Sequence, residues 1–178
     1  TDINLNSQID ALDDTNPLSI TPVSGGNVTF TAENDINLNK DLGTYNGSVD
    51  MTATTGTLNI AWNNTDNRTY RIQAGTAPIT VTTGENLSTG IAPPTSAALF
   101  PVPWDDALMA GLTIEEQEQF PYDYVDDQLK HYVTFSTNGK LSLTSTGGDV
   151  IVDAPIPNNT GEVALSAADA IIVNHKVL

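Results

Sequence analysis

Cysteine is absent from the 178 residues, so neither disulfide staples nor thiolate metal sites contribute to the fold. Basic residues are scarce: Lys40, Arg68, Arg71, Lys130, Lys140 and Lys176 stand against 22 acids, for a formal net charge of −16. That balance excludes nucleic acid as a partner, because phosphates are held by Lys and Arg. It also opposes association with an anionic membrane surface. Aromatic residues amount to 6%, and no apolar run is long enough to insert into and span a bilayer. In their place stand Asn, Thr, Ser, Gly and Ala. Small polar residues satisfy the backbone of tight turns, and few large side chains are needed where the interior is narrow.

The stretch from Gly26 to Val81 reads as a repeat. Gly26-Asn-Val-Thr-Phe-Thr is followed by Asp35-Ile-Asn-Leu-Asn, and Gly47-Ser-Val-Asp-Met-Thr by Gly56-Thr-Leu-Asn-Ile. Arg68-Thr-Tyr-Arg-Ile-Gln, followed by Ala77-Pro-Ile-Thr-Val, reads as a third copy at the same 21-residue offset. Each copy holds two short runs of period-two alternation around small residues, which predicts two half-buried strands and a turn. On this count Val28, Val49 and Tyr70 share one inward position, and Phe30, Met51 and Ile72 the next. Asp50 is then a neighbour of Arg71. Strands without helical periodicity, repeated at about 20 residues, predict an all-β chain coiled as a right-handed parallel β-helix, a β-solenoid with rungs of about 21–22 residues.

The expected organisation is rungs over 1–83, an extra-helical excursion over 84–131, and resumed rungs over 132–178. Within the excursion, Ala107–Ala110 and Thr113–Phe120 read as short helices, with Thr113 and Glu116 at capping-box spacing. Gly139-Lys-Leu-Ser-Leu and Gly161-Glu-Val-Ala-Leu restart the repeat. Asp2-Ile-Asn-Leu-Asn near the start and Ile171-Ile-Val-Asn near the end both fall inside the motif. The expectation is a segment of a longer array that continues into adjacent rungs.

The wording of residues 26–39, 139–152 and 161–173 resembles the haemagglutinin-type repeats of large two-partner-secreted bacterial exoproteins, of which filamentous haemagglutinin is the familiar member. The resemblance covers roughly 1–83 and 132–178. It implies a secreted segment at the bacterial cell surface, fibrous and adhesive, with a host or neighbour-cell glycan or protein as partner. The secretion-signal motifs of that family are not apparent.

Candidate chemistry gathers in the excursion. Trp104, Tyr122 and Tyr124 are interleaved with Asp105, Asp106, Asp126 and Asp127. Rings that stack on apolar faces beside acids that accept hydroxyl hydrogen bonds form a candidate binding surface. The same rings would equally serve to pin a long insertion to the wall behind it. The paired acids admit an alternative, a carbohydrate-active β-helix hydrolase or lyase, since such chemistry needs two carboxyls at fixed separation. His131 and His175 are solitary, the bases are scattered, and the preferred reading is not an enzyme. Asp10, Asp13 and Asp14 are candidate Ca2+ ligands without the spacing of an EF-hand, and solvated acid is the plainer account; no other cofactor is implied. Asn-x-Ser/Thr triplets occur at Asn27, Asn46, Asn63, Asn67, Asn86 and Asn158, in a chain whose composition favours them. Ice binding requires an unbroken outward ladder of Thr, and the file Thr29, Asp50, Arg71, Ser142, Ala164 that follows from a uniform 21-residue count excludes it.

Overall fold

The computed structural model describes residues 1–5, 9–10, 26–44, 46–63, 68–90, 133–156, 161–174 and 177. These residues form an all-β chain of parallel strands in sheets, with no helix among them. Both helices expected at 107–110 and 113–120 lie outside the described residues.

The longest strands are β3 (Val28–Ala32), β6 (Val49–Ala53), β11 (Ile79–Thr83), β14 (Leu141–Ser145) and β16 (Val163–Ala167). They are parallel, in the order β16-β14-β11-β6-β3. Each alternates apolar or small residues with Thr, Ser, Asp or Ala, and in β6, β11 and β14 every second residue is buried. Three-residue strands follow them: β1 (Ile3–Leu5), β4 (Ile36–Leu38) and β7 (Leu58–Ile60) form one three-stranded sheet. A second three-stranded sheet contains β12 (Leu87–Ser88), β15 (Val150–Val152) and β17 (Ile171–Val173), with β15 central. A four-stranded sheet is built from two-residue strands, β2 (Ile9–Asp10), β5 (Leu42–Gly43), β10 (Ile72–Gln73) and β13 (Phe135–Ser136).

The chain passes from the five-stranded sheet to a three-stranded sheet and then to the four-stranded sheet, as in β3, β4, β5, and repeats that order. Ile156 and Val177 close the last two passes through a parallel bridge. Inward residues of strands from all four sheets meet in one apolar cluster, including Ile36, Leu42, Met51, Ile79, Leu143 and Val150. An antiparallel pair, β8 (Trp62–Asn63) with β9 (Arg68–Thr69), interrupts the second pass between β7 and β10.

That interruption corrects the third repeat. Val49 and Met51 lie opposite Ile79 and Val81, an offset of 30 residues rather than 21. Arg68–Ile72 does not extend the five-stranded sheet: Arg68 and Thr69 pair backwards with Asn63 and Trp62, and Ile72 lies between Leu42 and Phe135. Asp50 therefore neighbours Thr29 and Thr80, while the Arg71 amide donates to Asp41 Oδ1 at 2.8 Å. The remaining registers follow the repeat as read. Ile3 and Leu5 face Ile36 and Leu38, and Leu141 and Leu143 face Val163 and Leu165. Of the inward residues of the first three copies and of the two restarted ones, Val49, Met51, Ile72, Leu141 and Leu143 are buried. Val28, Phe30, Tyr70, Val163 and Leu165 are half-buried against the same cluster.

Candidate functional site

Trp104, Asp105, Asp106, Tyr122, Tyr124, Asp126 and Asp127 all lie outside the described residues, as do Asp13 and Asp14. Asp10 is placed in β2 opposite Gly43. Among the described residues no three His, Cys, Asp or Glu side chains converge as a metal site.

The two roots of segment 91–132 are described, and they meet inside the protein. The chain leaves β12 through Gly90, whose φ of +133° is open to glycine and strained for other residues. Ser88 Oγ donates to the Gly90 carbonyl at 2.9 Å. Thr89, buried, donates from Oγ1 to the Ala154 carbonyl at 3.2 Å and accepts the Ala154 amide at 2.9 Å. On the returning side Thr134 is also buried, and its Oγ1 donates to Thr69 Oγ1 at 3.3 Å. Buried hydroxyls cost free energy unless paired, and here they pair with each other and with main chain. The departure point of the segment is thereby fixed, on the way from a three-stranded sheet to the four-stranded sheet, the stage of the preceding pass that holds the β8–β9 pair.

Clefts among the described residues include two shallow ones. One of about 230 Å3 is lined by Gly43, Thr44, Gln73, Gly75, Ser136, Thr137 and Asn138. The other, about 300 Å3, is bounded by Thr57, Glu85, Asn86 and Gly147. Among the described residues of the two linings Glu85 is the one acid, and those residues bring together no carboxyl pair of the kind used in glycoside hydrolysis.

Many of the acids and amides hold one pass to the next. Asp35 Oδ1 accepts the Thr57 amide at 2.9 Å, and Asp149 Oδ1 accepts that of Ala170 at 2.9 Å. Asn86 Oδ1 does the same for Asp149 at 2.8 Å. Outward on the first three-stranded sheet, Asn59 Nδ2 donates to Asn37 Oδ1, and Asn37 Nδ2 to Asn4 Oδ1, each at 2.9 Å. The recurring Asp-Ile-Asn-Leu phrase is thus structural at both polar positions: Asp35 caps the next turn, and the Asn residues form a ladder. Sequence reading registered the phrase without these roles, although its return at equivalent turns was the signal for them.

Comparison with protein families, with curated proteins and with solved structures found no match for this chain.

Proposed function

We propose that the chain is a right-handed parallel β-solenoid and serves as a structural and adhesive segment of a secreted bacterial surface protein of the haemagglutinin-repeat kind. The observation that carries this reading is the fixed order in which the chain visits its sheets, with in-register neighbours 21 residues apart at Val28–Val49 and 22 apart at Leu141–Val163. Such stacking makes a rod whose length grows with repeat number, suited to holding a contact surface away from a cell. Segment 91–132 carries that surface, through Trp104, Tyr122, Tyr124 and the Asp105/Asp106 and Asp126/Asp127 pairs, offered to a glycan or protein. Support for that placement comes from the paired hydroxyls that fix both roots of the segment.

The test is binding of the chain to a glycan array and to host cells, with variants. Tyr122→Ala and Tyr124→Ala are expected to weaken attachment and leave melting unchanged, whereas Trp104→Ala lowers the melting temperature. Absence of attachment to every glycan and cell type would overturn the adhesive reading. Hydrolysis of an oligosaccharide, abolished in Asp105→Asn or Asp126→Asn, would replace it with an enzymatic one.

A further inference from the structure

The register of the five-stranded sheet rewrites its outward face. Pairing of β3, β6, β11, β14 and β16 aligns Thr29, Asp50, Thr80, Ser142 and Ala164 in one file. It aligns Thr31, Thr52, Thr82, Thr144 and Ser166 in the next. With Thr80 where a uniform 21-residue count puts Arg71, the second file is hydroxyl throughout and the first departs from it at Asp50 and Ala164. The first file remains irregular, and the near-continuous hydroxyl ladder is the second file, four Thr and one Ser.

These hydroxyls differ from the others nearby in having nothing to bind inside the protein. Thr83 and Ser145, one step further along their strands, donate to the Glu85 carbonyl at 2.7 Å each. Ser48 Oγ donates to Asp50 Oδ2 at 2.9 Å. Among the described residues, no hydroxyl of either file donates to or accepts from another protein group. All ten positions are partly or fully open to solvent. Their hydrogen bonds are made to water.

The arrangement of that water is imposed by the strands. Parallel neighbours stand about 4.8 Å apart, and alternate residues on one strand about 6.6 Å apart. Thr is stiff at χ1, so each hydroxyl and methyl has few dispositions open to it along the file. The result is a two-dimensional array with a hydroxyl at most positions, at intervals of the same order as the oxygen repeats along and across a prism face of hexagonal ice. Each Thr also carries a methyl group, which does not compete for water. Charge selects the same partner: Asp50 is the single ionisable group among the ten positions, in a chain of net charge −16, so the face suits an uncharged ligand. No aromatic ring lies in either file, which removes the stacking platform a neutral glycan would use.

We propose that the outward face of the five-stranded sheet binds ice, through the water layer that the Thr files order. This binding is independent of whatever segment 91–132 contacts, and the two are separated by assaying ice and glycans with the same variants.

The experiment grows ice slowly from a dilute solution of the chain and measures the protein in the ice and in the remaining liquid, beside microscopy of single crystals. The wild-type chain is expected to be enriched in the ice and to give faceted crystals. Thr82→Tyr, at the centre of the hydroxyl file and outward, is expected to lose the enrichment. Asp50→Thr, which completes three consecutive Thr positions in the first file, is expected to raise it above wild type. Gln73→Tyr, exposed on the four-stranded sheet, is expected to behave as wild type. Exclusion of the wild-type chain from ice with unshaped disc crystals overturns the proposal. So does retention of binding by Thr82→Tyr, or its loss in Gln73→Tyr. Should Thr82→Tyr fail to fold by circular dichroism, Asp50→Thr decides, and no gain there counts against the proposal.

Discussion

Val150 and Val152 in β15 are 0% exposed, while their register partners in β17, Ile171 and Val173, are 47% and 56% exposed. The two strands have the same length and both are wholly apolar, Val-Ile-Val and Ile-Ile-Val. They differ in neighbours: β15 lies between β12 and β17, whereas β17 pairs with β15 alone. The five-stranded sheet repeats the contrast, with Leu141 and Leu143 buried in β14 and Val163 and Leu165 half-buried in β16. Alternation in sequence thus decides which side of a strand is apolar, and the adjoining strands decide whether that side leaves water. Stability in such a stack is close to a sum over neighbouring passes.

The largest effect that would sharpen this contrast is expected from Leu143→Ala. Removing a fully buried Leu between two apolar neighbours, Val81 and Leu165, should cost about 2–5 kcal/mol, because the surrounding stack cannot collapse into the space. Leu165→Ala removes the same side chain one strand further out and should cost distinctly less. Urea denaturation of both variants gives the comparison, and equal losses would break it.

Glycines at the turn into the five-stranded sheet provide a second pair. A Cβ on Gly47 would run into the carbonyl oxygen of Gly26 beneath it, and main chain does not yield as a side-chain tip does. A Cβ on Gly26, before the edge strand β3, would meet nothing within 4 Å. Gly47→Ala is therefore expected to destabilise by about 1–3 kcal/mol, in the range for overpacked sites. Gly26→Ala should change the melting temperature little. A loss at Gly26 equal to that at Gly47 would mean that chain flexibility, and not close approach of successive passes, sets the need for glycine.

The same contrast explains which parts of the fold were legible in sequence. Strands of three to five residues place two or three side chains inward, enough to show period two, and β3, β4, β6, β14 and β16 were read from that signal. Strands of the four-stranded sheet are two residues long, and Leu42, Ile72 and Phe135 are each a single inward residue with no period to detect. With that sheet unseen, the hairpin of β8 and β9 could not be recognised as an addition to one pass. A fixed 21-residue count then moved Arg68–Ile72 onto a sheet to which it does not belong. The candidate binding residues 104–127 carried a compositional signal, aromatic residues among acids, that lies outside the described residues. The Thr files were present in the sequence as Thr-x-Thr and Ser-x-Thr, but only the correct register brings Thr82 between Thr52 and Thr144.

The smallest expected effect lies where the inner and outer passes meet. Lys140 Nζ and Glu162 Oε1, each just ahead of its strand, are 2.9 Å apart, with side chains 48% and 67% exposed. Water competes for both groups and two long side chains must be held still, so the pair is expected to contribute about 0–1 kcal/mol. A double-mutant cycle with Lys140→Ala and Glu162→Ala measures it, and the coupling should shrink further in high salt. The cycle also probes the outer pass itself. If β16 frays at equilibrium the pair exists only part of the time, and the coupling approaches zero even at low salt. A coupling that persists at several times the surface value would show that the last pass is held as firmly as the inner ones, in which case the exposure of Ile171 and Val173 costs the stack little.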